Sequence, residues 1–137
     1  MKLIFELTLP SKLDILQKVG ELLENSVKNF YPNQSDVAFY LNLAVTEALS
    51  NAVKHGAKQE ITVKITVENL TINIEIIDKG GKLDKNPLIN NPDPYDESGR
   101  GLFIISKIVD KMEFIQTEDS TIFTLTKNLK PNSTTIN

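Results

Sequence analysis

The spacing of apolar residues changes once along this chain, and that change confines the fold to helices packed beside paired strands. Before it, Ser11–Phe30 carries Leu13, Leu16, Val19, Leu22, Leu23 and Val27 at helical spacing. Ser11 is placed as the N-cap, with Asp14 three residues on as a variant of the capping box. Tyr31-Pro32-Asn33 breaks the chain. A second helix is expected from about Gln34 to His55, with Val37, Leu41, Ala44, Val45, Ala48, Leu49 and Ala52 on its apolar face and Gly56 at its end. Beyond it the period drops to two. Ile61, Val63, Ile65 and Val67 alternate with polar residues, as do Ile72, Ile74 and Ile76, and a turn at Glu68-Asn69 makes these runs a β-hairpin.

The flanks complete the pattern. Met1–Pro10 reads as a strand, because it is too short for a membrane span and lacks a cleavage site. Lys82–Ser98, with three prolines and no periodicity, is expected to be a lid or binding loop. Gly99–Lys111 reads as a helix with Leu102, Ile105, Ile108 and Val109 inward. A closing hairpin joins Met112–Thr117 to Thr121–Thr126, and a polar tail frays from Lys130. Antiparallel hairpins with helices on one face make a two-layer α/β sandwich of the α+β kind. One domain over residues 1–128 and a tail over 129–137 fit the 137-residue length.

Composition narrows the chemistry. The absence of cysteine excludes disulfides, thiolate metal sites and cysteine nucleophiles. A single histidine excludes a two-His metal motif, and a net charge of −3 argues against a general nucleic-acid surface. The glycosylation-like triplets at Asn33, Asn69 and Asn132 carry no weight without a secretory signal, and the expected compartment is the cytoplasm.

Three segments carry chemistry. Glu47, Asn51 and His55 recur every four residues, so they share one stripe of the second helix. The stripe is either a solvated edge or a carboxylate and carboxamide aimed into a cleft, where one accepts a proton and the other suits Mg²⁺. Asp78-Lys79-Gly80-Gly81 closes an apolar strand. It is either an ordinary turn or an acceptor for a purine amine beside glycines that admit a ring. Ser98-Gly99-Arg100-Gly101-Leu102 opens a helix. It is either a flexible entry or a set of backbone N–H groups facing an anion.

In this order and spacing, the three segments resemble the N, G1 and G2 boxes of the GHKL, or Bergerat-fold, ATPases. EALSNAVKHG and SGRGLFIISKIVD are similar to the N box and G2 helix of the anti-sigma factor serine/threonine kinases. The resemblance implies a mixed, mainly antiparallel sheet and the cofactors ATP and Mg²⁺. It makes Glu47 the general base and Asn51 the Mg²⁺ ligand. It sets Asp78 against the adenine amine, with Gly80 giving the ring room. Gly99, Arg100 and Gly101 would line the phosphates, Leu102 would belong to the nucleotide site, and Lys54 and His55 either touch the nucleotide or are structural. One departure stands out. Lys82 occupies the second glycine position of the G1 box, so either Gly81 serves one place early or Lys82 reaches a phosphate.

The function implied is that of an anti-sigma factor that sequesters a sigma factor and phosphorylates a STAS-type anti-anti-sigma partner on Ser or Thr. A homodimer is a further implied partner, and neither direct nucleic-acid binding nor membrane attachment is expected. Two rivals are a degenerate GHKL module that switches partners without transferring phosphate and a kinase acting on another STAS-containing regulator. A structural α/β domain with no nucleotide must treat three ordered motifs as coincidence.

Overall fold

The computed structural model describes residues 2–55, 60–79 and 97–131, with backbone only at His55, Lys79 and residues 97–100. Five strands form one sheet in the order β1-β2-β3-β5-β4. They are β1 (Lys2–Pro10), β2 (Glu60–Glu68), β3 (Thr71–Lys79), β4 (Lys111–Gln116) and β5 (Ser120–Asn128). All four pairings are antiparallel, so the mixed sheet reduces, among the described strands, to its antiparallel part. Three helices accompany it: α1 (Leu13–Phe30), α2 (Ser35–His55) and α3 (Glu97–Ile108).

The period of two sorts the sheet into faces. Ile61, Val63, Ile65 and Val67 on β2, Ile72, Ile74 and Ile76 on β3, and Phe123 and Leu125 on β5 are buried. The intervening Thr62, Lys64, Thr66, Asn73, Glu75 and Thr124 are only half-buried. That outer face is laced by short polar contacts, such as Thr126 Oγ1 donating to Asn73 Oδ1 at 2.8 Å. The inner face packs with Leu16, Val19, Leu23 and Val27 of α1 and Leu41, Val45, Ala48 and Leu49 of α2. Each such aliphatic side chain, fully buried, contributes about 1.5–3 kcal/mol.

Several boundaries differ from the sequence expectation. Ser11 is not the cap of α1. Lys12 occupies that position with extended backbone and no side-chain cap hydrogen bond, and its carbonyl accepts from Ile15 and Leu16. Leu13 and Leu22 lie on the exposed side of α1, because the inward stripe runs through Leu16, Val19, Gly20, Leu23 and Val27. The hairpin turn is Asn69-Leu70, not Glu68-Asn69. Both residues have positive φ, 52° and 61°, which matches the right-handed twist of the two strands. Leu70 accepts that backbone while packing on the core, and its carbonyl accepts from Leu129 N at 2.7 Å.

Helix α3 begins at Glu97, two residues before Gly99, and ends at Ile108, so Lys111 opens β4. Tertiary packing of Gly101 offsets the poor helix propensity of glycine. The expected lid falls outside the described residues up to position 96, and its last two residues, Glu97 and Ser98, belong to α3. Gly56 also lies outside them. The tail is tied where it begins. Gln34 Nε2 donates to the Lys130 carbonyl at 2.7 Å, and Lys130 N donates to Gln34 Oε1 at 3.2 Å. Leu129 is buried beside this clamp.

Candidate functional site

The site starts with the stripe on α2. Ala44, Ala48 and Leu49 are buried toward the sheet and α3, whereas Glu47 and Asn51 are half-buried on the flank. Helix α3 approaches that flank at Gly101. A methyl group built on Gly101 would lie 3.1 Å from Glu47 Oε2 and 3.3 Å from Asn51 Nδ2. Only hydrogen fits this gap without displacing one of the two functional side chains. The structure therefore brings Gly101 together with Glu47 and Asn51, which lie far before it in the chain.

Gly101 itself is the fifth residue of α3. The N–H groups of a helix that lack an intrahelical partner lie at its N-terminal end, in the first turn. Gly99 and Arg100 sit in that anion-attracting first turn. Gly101 lies past it and serves the approach of α3 to α2. Sequence reasoning had assigned it only to phosphate. A glycine inside a helix, where it weakens the backbone, was the available signal for close packing.

Asp78 continues the inward row of β3. Ile72, Ile74 and Ile76 precede it at alternate positions, and it pairs across the sheet with Ile61 on one side and Thr121 on the other. It is 5% exposed. Its Oδ1 accepts no hydrogen bond among the described residues. Burial pushes its pKa above the usual carboxylate range. An unmet buried acceptor costs about 1–3 kcal/mol, so it marks a place that is satisfied by something else. A group with an N–H donor, such as an aromatic amine, would satisfy it.

The remaining expected residues divide simply. Leu102 is half-buried and packs on the core, and Lys54 is exposed near the end of α2. His55 closes α2, with its side chain outside the described residues, as is that of Arg100. Gly80, Gly81 and Lys82 lie outside them altogether. Among the described residues no group of three His, Cys, Asp or Glu side chains could hold a metal ion, and no helix is long and apolar enough to cross a membrane.

Sequence reasoning missed a second cluster between α1 and α2. Asn42 Nδ2 donates to Glu24 Oε1 at 2.8 Å, Thr46 Oγ1 donates to Asn42 Oδ1 at 3.1 Å, and Lys28 pairs with Glu24 at 2.7 Å. The hydrogen bond from Asn42 and the charge of Lys28 hold the Glu24 carboxyl below its ordinary pKa. Gly20 lets α1 settle onto Asn42 and Thr46.

The chain is similar to the serine-protein kinase RsbW of Staphylococcus aureus, 31% identical over 64% of this chain and 64% of that protein. It is also similar to RsbW of Bacillus cereus, 29% identical over 60% of this chain and 59% of that one. The match thus spans less than two thirds of the length of these relatives. A crystal structure of the RsbU and RsbW domains of a Mycobacterium tuberculosis protein shares the fold, with TM-score 0.67 and 19% identity over 94% of this chain and 33% of that one. The family model for the histidine kinase-like ATPase domain matches residues 9–127. With that match over most of its length, and with an inward acidic residue at the end of β3 facing the helix layer, the chain belongs to the histidine kinase-like ATPase domain family.

Proposed function

We infer that this chain is an ATP-dependent serine/threonine protein kinase that also acts as an anti-sigma factor in partner switching. The observation that carries the nucleotide part is Asp78, a buried acceptor whose Oδ1 has no partner among the described residues. The residues fit the nucleotide. Asp78 would take the adenine amine, beside Gly80. The first turn of α3 at Gly99 and Arg100, with Lys82, would line the phosphates, and Leu102, Lys54 and His55 would border the nucleotide. Asn51 would hold Mg²⁺ through its amide oxygen. Bound ATP supplies the phosphoryl group.

The chain's own part is positioning and proton transfer. Glu47 sits on the stripe that α3 meets, with its carboxylate close against Gly101. It would accept the proton that the attacking Ser or Thr hydroxyl gives up. The relatives named serine-protein kinase support this reading. The partners that follow are a STAS-type anti-anti-sigma protein as substrate and a sigma factor as captive, in the cytoplasm, with a homodimer as the assembly. Residues 1–128 would form the working domain.

A second reading keeps the partner switch and drops the chemistry, and Lys82 at the second G1 glycine favours it. Thermal unfolding with and without Mg-ATP separates the two. A ligand at about a hundred times its Kd adds about 2.7 kcal/mol, several degrees in a domain of this size. The kinase reading expects a Mg²⁺-dependent rise in Tm that Asn51→Ala abolishes. It expects Glu47→Ala to keep the rise and lose phosphoryl transfer. No rise at millimolar ATP favours the module without chemistry, and normal transfer by both variants refutes the site.

A further inference from the structure

Helix α2 is complete on its inner face and unfinished on its outer one. Ala38, Leu41, Ala44, Val45, Ala48 and Leu49 supply the core. Yet Phe39, Tyr40 and Leu43, on the same helix, are 57%, 51% and 37% exposed. Single exposed apolar residues are ordinary, but these form one contiguous ridge. The Phe39 and Tyr40 rings meet edge to face at 5.5 Å. Phe39 and Leu43 are four residues apart, and the same step leads to Glu47 and then Asn51. The apolar ridge and the stripe of the site are one continuous row, with about 6 Å of rise between successive members.

We propose that Phe39, Tyr40 and Leu43 are the docking ridge for the protein that receives the phosphoryl group. The inference rests on the kinase reading of Glu47 above. A segment of the partner lays apolar side chains on Leu43 and Phe39, which sets its Ser or Thr hydroxyl one helical turn further on, at Glu47. Acidic residues flank the apolar ridge, with Asp36 three residues before Phe39 and Glu47 four residues after Leu43. Asp36 makes no ion pair among the described residues, so the partner segment carries a Lys or Arg at its far end to meet it.

The same charges disfavour a second copy of this chain. A two-fold contact of antiparallel α2 helices centred between Tyr40 and Leu43 sets Asp36 of each copy against Glu47 of the other. Like charges opposed in this way weaken such an interface.

The probe is a fluorescein-labelled helical peptide with two Leu residues one turn apart, a Ser one further turn on and a Lys at the opposite end. Its control has Gln in place of both Leu. Binding is read by fluorescence anisotropy, transfer by labelled phosphate from ATP, nucleotide binding by the Mg-ATP rise in Tm, and self-association by sedimentation. Leu43→Ser and Phe39→Ser are expected to weaken peptide binding about tenfold or more, the loss usual for a buried apolar anchor. The Mg-ATP response stays unchanged, and Ile115→Ser, exposed on β4, leaves both intact. The Gln peptide binds wild type as poorly as the Leu peptide binds Leu43→Ser.

Equal binding of the two peptides, no binding to wild type, or binding indifferent to the ridge variants overturns the ridge. Ridge variants that dissociate a dimer without touching peptide binding also overturn it. Ridge-dependent binding with no transfer supports the ridge and counts against the kinase reading instead.

Discussion

Asp78 is buried where a charge is unwelcome, and that sets a pH dependence with a definite sign. In the folded chain burial raises its pKa, so on raising the pH the unfolded chain releases this proton first. Its contribution to stability is therefore greatest at acid pH. It is lost as pH rises from the ordinary aspartate range to the raised folded value, and stays lost at neutral pH. Asp78→Asn removes the titration. Its Tm relative to wild type is expected to climb from acid to neutral pH, while its response to Mg-ATP disappears, because an amide presents a donor as well as an acceptor to the amine. A Tm difference that is flat with pH would refute the account. Gly101 sets the opposite kind of limit. Gly101→Ala adds a methyl group 3.1 Å from Glu47 Oε2. Alanine favours a helix by about 1 kcal/mol over glycine, so stability holds or rises slightly. Under the proposed reading, phosphoryl transfer falls by about tenfold because the carboxylate is displaced by a few tenths of an ångström. Tm and turnover measured on the same variant separate the two effects. Asp78 was legible in the sequence as the end of an alternating row. The close approach of Gly101 to Glu47 was not, because it depends on a helix far along the chain.

At the scale of elements, the functional helix is held in register by its neighbour. Gly20 on α1 lies against Asn42 and Thr46, and a methyl group there would come within 2.6 Å of Thr46 Oγ1. Gly20→Val forces Asn42 off Glu24 and overpacks the interface, a cost of about 1–3 kcal/mol. Tm is expected to fall by about 5–10 °C. An unchanged Tm would mean that α1 slides freely on α2. The strands were the easiest elements to read, since Ile61–Val67 and Ile72–Ile76 alternate without interruption. Their turn was not. An Asn at the second turn residue would ordinarily attract the assignment, but Leu70 takes the other positive φ, because its side chain gains core contact there. Helix α1 differs from the sequence expectation at its start, where Lys12 and not Ser11 is the cap. Leu13 and Leu22 satisfy the helical period, but only the stripe through Leu16, Val19, Leu23 and Val27 meets the sheet and α2.

Across the whole molecule, the layers are closed by contacts between distant parts of the chain. Gln34 exchanges two hydrogen bonds with the backbone of Lys130, ninety-six residues later, at 2.7 and 3.2 Å. Gln34→Ala leaves both Lys130 groups without that partner, and about 1–2 kcal/mol of stability is expected to go with them. The same change should speed hydrogen exchange at the Lys130 amide more than at the β2–β3 hairpin, and uniform exchange would rule out a local clamp. What the sequence determined by itself is whatever depends on near neighbours: the helical stripe of Glu47 and Asn51, the alternating strands, and the Asp that ends the inward row of β3. These follow from fixed side-chain periods of 3.6 and 2. What only the tertiary structure decided is which of those residues meet. The approach of Gly101 to Glu47 and Asn51, the burial that leaves Asp78 Oδ1 unmet among the described residues, and the surplus ridge beside Glu47 all depend on how elements far apart in the chain share one core. Local spacing carries no record of that partition, because the free energy of burial belongs to the packed layers and not to any single segment.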